Sequence, residues 1–196
     1  MATLGVDPGL AKCGFCLLSG DALLGAGVIR TKKSDGSEAD RIRVITAHIR
    51  ARIEDCREKV MLIAVETQHA QGGDPETQRA RSAAAMSVAA VRGAVIEVAD
   101  SLSIPVAEVS PQEAKRALTR SGKADKQQMV AMARARFNEN LTQDAADACG
   151  LALAGQDLMA ERQWTGREKL GRVTRSEALD GLPENVRRAA ARGAKK

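Results

Sequence analysis

Tyrosine is absent, tryptophan occurs once and phenylalanine twice in 196 residues, so a platform of stacked aromatics cannot be the main mode of any nucleic-acid binding. Ala, Val, Leu and Ile must build the core instead. No apolar run approaches the roughly 20 residues of a membrane span, and the opening Met-Ala-Thr-Leu-Gly has neither the basic nor the apolar region of an export signal. A cytoplasmic protein with no membrane partner is expected. Two histidines offer no plausible zinc cluster. The four cysteines, Cys13, Cys16, Cys56 and Cys149, are too few and too scattered for a disulfide framework. Cys13-Gly-Phe-Cys16 does fit C-x-x-C, but it falls in what reads as a strand, where residues three apart face opposite ways. A zinc or redox pair therefore stands beside the plainer reading of two small buried hydrophobes.

What is present describes a globular α/β chain. Hydrophobic residues make up 44% and charged residues 28%, enough for one domain with a proper core, expected over 1–156. The net charge of +5 is unevenly placed. Residues 157–196 hold ten basic and six acidic side chains, so a basic, partly disordered C-terminal extension is expected. Such a tail suits a polyanionic partner or is simply a solvated terminus.

Thr3–Asp7 reads as a strand halted by Pro8-Gly9, and Cys13–Leu18 with Ala22–Ile29 as a hairpin turning at Ser19-Gly20-Asp21. Ile42, Ile45, Ile49 and Ile53 recur at helical spacing within about Ser37–Val60. Met61–Val65 is a buried strand closed by Glu66. A polar loop over Gln68–Arg81 leads to a helix from about Ser82 to Asp100, and Ile104–Val109 is a further strand. Ser110-Pro111 opens a short helix, another runs from about Asp125 to Phe137, and Thr142 caps the Ala-rich stretch Gln143–Met159.

Asp7 and Glu66 each end an apolar strand, where side chains of neighbouring strands emerge together at a sheet rim. Asp144 and Asp147 are three apart on a predicted helix and share a face. Four carboxylates in one place repel unless neutralised, and hard oxygen donors suit Mg²⁺ or Mn²⁺. Two such ions about 3.5–4 Å apart can hydrolyse a phosphodiester. Taken singly, Asp7 before Pro-Gly also suits a turn and Asp144 a helix dipole.

The strings Gly5-Val6-Asp7-Pro8-Gly9-Leu10-Ala11, Ala64-Val65-Glu66, Val109-Ser110-Pro111-Gln112-Glu113-Ala114-Lys115, Lys123-Ala124-Asp125-Lys126 and Asp144-Ala145-Ala146-Asp147-Ala148 occur in that order. In order and spacing the stretch from about 3 to 155 resembles the RuvC-type Holliday-junction resolvases. The resemblance implies a ribonuclease-H-like fold, a mixed sheet of about five strands flanked by helices. It also implies a homodimer that cuts two strands of a four-way DNA junction with Mg²⁺, two ions per site, Mn²⁺ substituting. By the same resemblance Asp7, Glu66, Asp144 and Asp147 are the metal-binding acids. Lys115 and Lys126 match lysines that contact DNA or assist catalysis, Lys126 being assigned to catalysis. Arg116, Arg120 and Lys123 extend them into a basic, DNA-binding cluster, although each also reads as solvated charge.

One departure from the family pattern concerns the segment after Glu66. Family members commonly carry an aromatic wedge there, whereas this chain continues Thr67-Gln68-His69-Ala70 and has no Phe, Tyr or Trp between Glu66 and Phe137. His69 is either a stacking, DNA-binding group or an ordinary loop histidine. The basic extension is the other departure, and is similar to phage-encoded relatives, some of which act more broadly on branched DNA. The expected function is a structure-selective DNA endonuclease, in a bacterium or in a phage's host. A ribonuclease-H-like nuclease acting on RNA or hybrids, and a junction-binding protein without catalysis, are the alternatives.

Overall fold

The computed structural model describes residues 1–67 and 75–164, the side chains of 75–82 and 162–164 excepted. Five strands, β1 (Ala2–Asp7), β2 (Lys12–Ser19), β3 (Ala22–Arg30), β4 (Val60–Glu66) and β5 (Val106–Val109), form one sheet in the order β3-β2-β1-β4-β5. The first three pair antiparallel as a meander, and β1–β4 and β4–β5 pair parallel. This is the mixed five-stranded sheet expected of a ribonuclease-H-like architecture.

Alternation along the strands creates two cores. Leu4, Val6, Cys13, Phe15, Leu17, Ile63 and Val65 point to one face and meet helix α1 (Glu38–Glu54) and helix α2 (Pro75–Ser101) through Ile45, Ile49, Val91 and Val95. Cys16 and Leu18 point to the other face, under helix α5 (Gln143–Trp164), with α3 (Pro111–Thr119) and α4 (Lys126–Phe137) packed on α5. Cys13 and Cys16 thus lie on opposite faces, both fully buried. Burial pushes the Cys13 thiol up to about 12 and the Cys16 thiol well above its usual range, and Cys16 Sγ lies 2.9 Å from Cys149 Sγ. They behave as small core residues, not as thiolates.

Local signals set most helix starts. Ser37, Ser110 and Asp125 each cap a helix through a reciprocal capping box, with Asp40, Glu113 and Gln128 as partners. The helix expected over Ser37–Val60 stops at Glu54, because the apolar period ends at Ile53 and Val60 pairs with Ala2 in the sheet. Helix α2 starts at Pro75, seven residues before the expected Ser82, with the proline in the first turn, where its missing N–H costs nothing. Strand β5 begins at Val106, not Ile104, since Pro105 has no N–H to give the ladder, though its carbonyl accepts from Ile63 N at 3.0 Å. No helix among the described residues is long and apolar enough to cross a membrane.

Helix α5 lies unusually close to the sheet. A Cβ built on Gly5 would stand 2.1 Å from the Ala148 carbonyl oxygen, and one on Gly14 would stand 2.1 Å from that of Asp144. On the helix side, a Cβ on Gly155 would meet the Ala64 Cβ at 2.7 Å. Backbone of one layer therefore touches backbone of the next. Gly5→Ala and Gly14→Ala are each expected to lower unfolding free energy by about 1–3 kcal/mol or more, measured by denaturant titration. Gly25→Ala, with nothing within 4 Å of the added methyl, is the matched control, and equal effects at all three positions would refute the close approach.

Candidate active site

Strand pairing brings the first two acids together. Val6 is the register partner of Val65 on the parallel neighbour, so Asp7 and Glu66 follow side by side at the ends of β1 and β4. Their carboxyl groups are close enough for each to act on the other's charge. Across the antiparallel pair, Asp7 faces Gly14, and it is over Gly14 that the first turn of α5 sits. The position a Cβ on Gly14 would take is 3.3 Å from the Asp7 Cβ and 2.1 Å from the Asp144 oxygen. The glycine thus lets the helix set Asp144, and Asp147 one turn later, next to the strand-end acids.

The electrostatics record that convergence. The Asp7 carboxyl is pushed up from its usual 3.8 to about 8, first by burial and then by the charges of Glu66, Asp147 and Asp144. Asp147 is raised as well, mainly by burial and also by Asp144. Gln143 and the cations Lys126 and Lys115 oppose that rise. All four acids are half-buried. Among the described residues no three His, Cys, Asp or Glu side chains are arranged so that they could hold a metal ion. The acids share one charge environment without forming a coordination cage. Their donor chemistry is nevertheless of one kind, four carboxylates backed by half-buried surroundings, which fits a hard divalent cation and no soft one.

The basic residues divide into two groups. Lys115, half-buried on α3, and Lys126, the first residue of α4, both reach Asp147 electrostatically. Arg116 lies beside Glu113, and Arg120 is the exposed left-handed C-cap of α3. Lys123 sits exposed in the loop before α4, its N–H donating to Ser121 Oγ at 3.3 Å. His69 lies outside the described residues, as does 165–196 of the C-terminal extension. The sequence reading missed Gln143, which is four residues before Asp147 on the same helix face; that i,i+4 spacing was its only signal.

Comparison with known proteins adds an independent line. The family described as Crossover junction endodeoxyribonuclease RuvC matches residues 3–155. The crossover junction endodeoxyribonuclease RuvC of Streptomyces griseus is 37% identical over 164 residues, spanning 78% of this chain and 74% of that protein. Its counterpart in Prosthecochloris aestuarii is 31% identical over 194 residues, 95% of this chain and 96% of that one. The solved structure of T. thermophilus RuvC in complex with Holliday junction substrate superposes with a TM-score of 0.68 at 24% identity, covering 82% of this chain and 96% of the other. At that identity the structural likeness is one of fold.

Crowding at Asp7 has a measurable sign. A carboxyl whose folded value exceeds its unfolded one holds its proton more tightly when folded, so its contribution to stability is complete below about 3.8 and is lost as pH rises through about 8. In chelator, the melting temperature should therefore fall between pH 5 and 9, and Asp7→Asn should flatten that fall. A profile that is the same in both proteins would remove Asp7 from the centre of the cluster.

Proposed function

Because the chain belongs to the RuvC family of crossover junction endodeoxyribonucleases, we propose that it cuts four-way or otherwise branched DNA by metal-dependent phosphodiester hydrolysis, leaving 5′-phosphate ends. The single observation that carries this reading is the meeting of Asp7, Glu66 and the α5 acids, with Lys115 and Lys126 turned toward Asp147. Asp7, Glu66, Asp144 and Asp147 would hold Mg²⁺, or Mn²⁺ in its place, two ions per site. When bound, the metal supplies Lewis-acid chemistry that activates a water and stabilises the departing 3′ oxygen.

The chain's own groups do the rest. Lys115 and Lys126 draw the scissile phosphate toward the acids, offsetting the repulsion between a phosphodiester and four carboxylates. Arg116, exposed in the last turn of α3, and Arg120 and Lys123, exposed on the α3–α4 connection, hold neighbouring phosphates and position the strand. Gln143, one helical turn before Asp147, is the neighbour placed to orient its carboxylate. A homodimer would face two such sites toward opposite strands, acting in the cytoplasm of a bacterium or of a phage's host. Support for a junction substrate comes from the solved relative, whose structure is described as a complex with one. By the family resemblance, His69 falls in the segment after Glu66 and is proposed as a contact to the junction centre, the alternative being an ordinary loop histidine.

Asp7→Asn and Asp147→Asn should each lower cleavage of a four-way junction by at least about 10³-fold while leaving binding within about threefold, as removal of transition-state electrostatics does. The check is a panel of four-way, three-way, flap and linear DNAs with Mg²⁺, plus an RNA–DNA hybrid, every cut mapped. Near wild-type cleavage by either variant would sink the assignment, and preferential cutting of the hybrid would redirect it to RNA.

The extension is proposed as an electrostatic tether. Residues 166–196 carry nine basic and four acidic side chains. Truncation after Thr165, which keeps α5 whole, should flatten the salt dependence of DNA binding. An unchanged slope would return the extension to a solvated terminus.

A further inference from the structure

Beside the acids lies a groove of about 350 Å³ lined by Lys126, Gln127, Val130, Ala131 and Arg134 of α4 and by Gln143 of α5. The α4 positions fall at spacings of one and four, so they form one stripe along the helix. A cation stands at each end, small apolar side chains form the middle, and no carboxylate lines it among the described residues. The Arg134 Nε donates to the Leu141 carbonyl at 3.0 Å, which fixes the guanidinium at the groove's far end. The near end opens on the acids, since Gln143 adjoins Asp144 and stands one turn ahead of Asp147 on α5, and Lys126 reaches Asp147 electrostatically.

From these features we infer that the groove seats the sugar-phosphate backbone of the strand being cut, on the stretch flanking the scissile bond, with Arg134 as its distal phosphate contact. Eight residues of helix span about 12 Å. That reach exceeds the spacing of neighbouring phosphates along a strand, so Lys126 and Arg134 contact different phosphates. Val130 and Ala131 leave the floor free of groups that would repel the backbone or compete for it, and the sugars pass over them. Phosphate contacts of this kind set register without reading sequence. An acidic peptide would be drawn by the same two cations, but the continuity with the acids, which bear on phosphodiester chemistry, favours a nucleic-acid strand. The inference rests on the reading of the chain as a DNA endonuclease.

Ala131 is exposed in the groove, and either charge can be placed there within a good helix former. In the full chain, with chelator present, four-way junction binding is measured by titration from about 50 to about 200 mM salt. Ala131→Glu should weaken binding on the order of fivefold or more and lower the salt slope, whereas Ala131→Lys should tighten it and steepen the slope by about one. Ala47→Glu, the same change on exposed α1 across the sheet, should leave affinity unchanged, and Arg134→Ala should move with Ala131→Glu. Equal affinities for the two Ala131 variants, or a shift at Ala47→Glu as large as that at Ala131→Glu, overturn the groove. If the wild type cuts branched DNA normally in that event, the endonuclease reading survives it. Opposite shifts at Ala131 in a chain that cuts no branched DNA remove the catalytic reading and, with it, the claim that the strand in the groove is the one being cut.

Discussion

The candidate site depends on how near α5 can come to the sheet. Helix and sheet ordinarily meet through interdigitated side chains, but here Gly5 and Gly14 leave the carbonyls of Ala148 and Asp144 in direct contact with the strands. The small residues Ala148, Ala152 and Gly155 complete the fit from the helix side. Close packing of this sort is unforgiving, because interiors have little free volume with which to absorb an added methyl group. It is also what turns two separate carboxylate pairs into one cluster. With a normal layer separation, Asp144 and Asp147 would stand several ångströms further from Asp7.

Bringing the acids together raises an electrostatic cost that the surroundings only partly offset. Asp7 takes the largest share, and its rise to about 8 reflects burial reinforced by three neighbouring acids. Asp147 fares better because Gln143, Lys126 and Lys115 oppose the effect of its burial. The two sides of the cluster therefore differ: among the described residues, acids act on Asp7 on the β1 side, whereas cations act on Asp147 on the α3–α4 side. A divalent cation is the natural complement of the first side, and a phosphate oxygen of the second.

Much of this was legible in the sequence because it is written in local signals. Ser37, Ser110-Pro111 and Asp125 announce helix starts through caps acting over three residues, and Asp7 and Glu66 stand out as acids closing apolar strands. The family strings then joined residues far apart in the chain. What escaped was set by tertiary contact. Gly72-Gly73 and Pro75 suggested a longer loop, yet α2 begins at the proline. Nothing in the strand sequence marks Gly5 and Gly14, whose role is set by the helix above them. Arg134 was one of many basic residues, and only the fold of α4 against α5 put it in line with Lys126.

The acids come from widely separated parts of the chain: β1 near its start, β4 at residue 66, and α5 beyond residue 143. Helix α5 also supplies the layer that covers Cys16, Leu18 and Ala64. A growing polypeptide thus holds only the strand-end pair until most of it has been made, and contacts so distant in sequence form late. The same holds for a fragment cleaved anywhere ahead of α5. Completion of the acid cluster and completion of the fold are one event, so an unfinished chain lacks the chemistry as well as the shape.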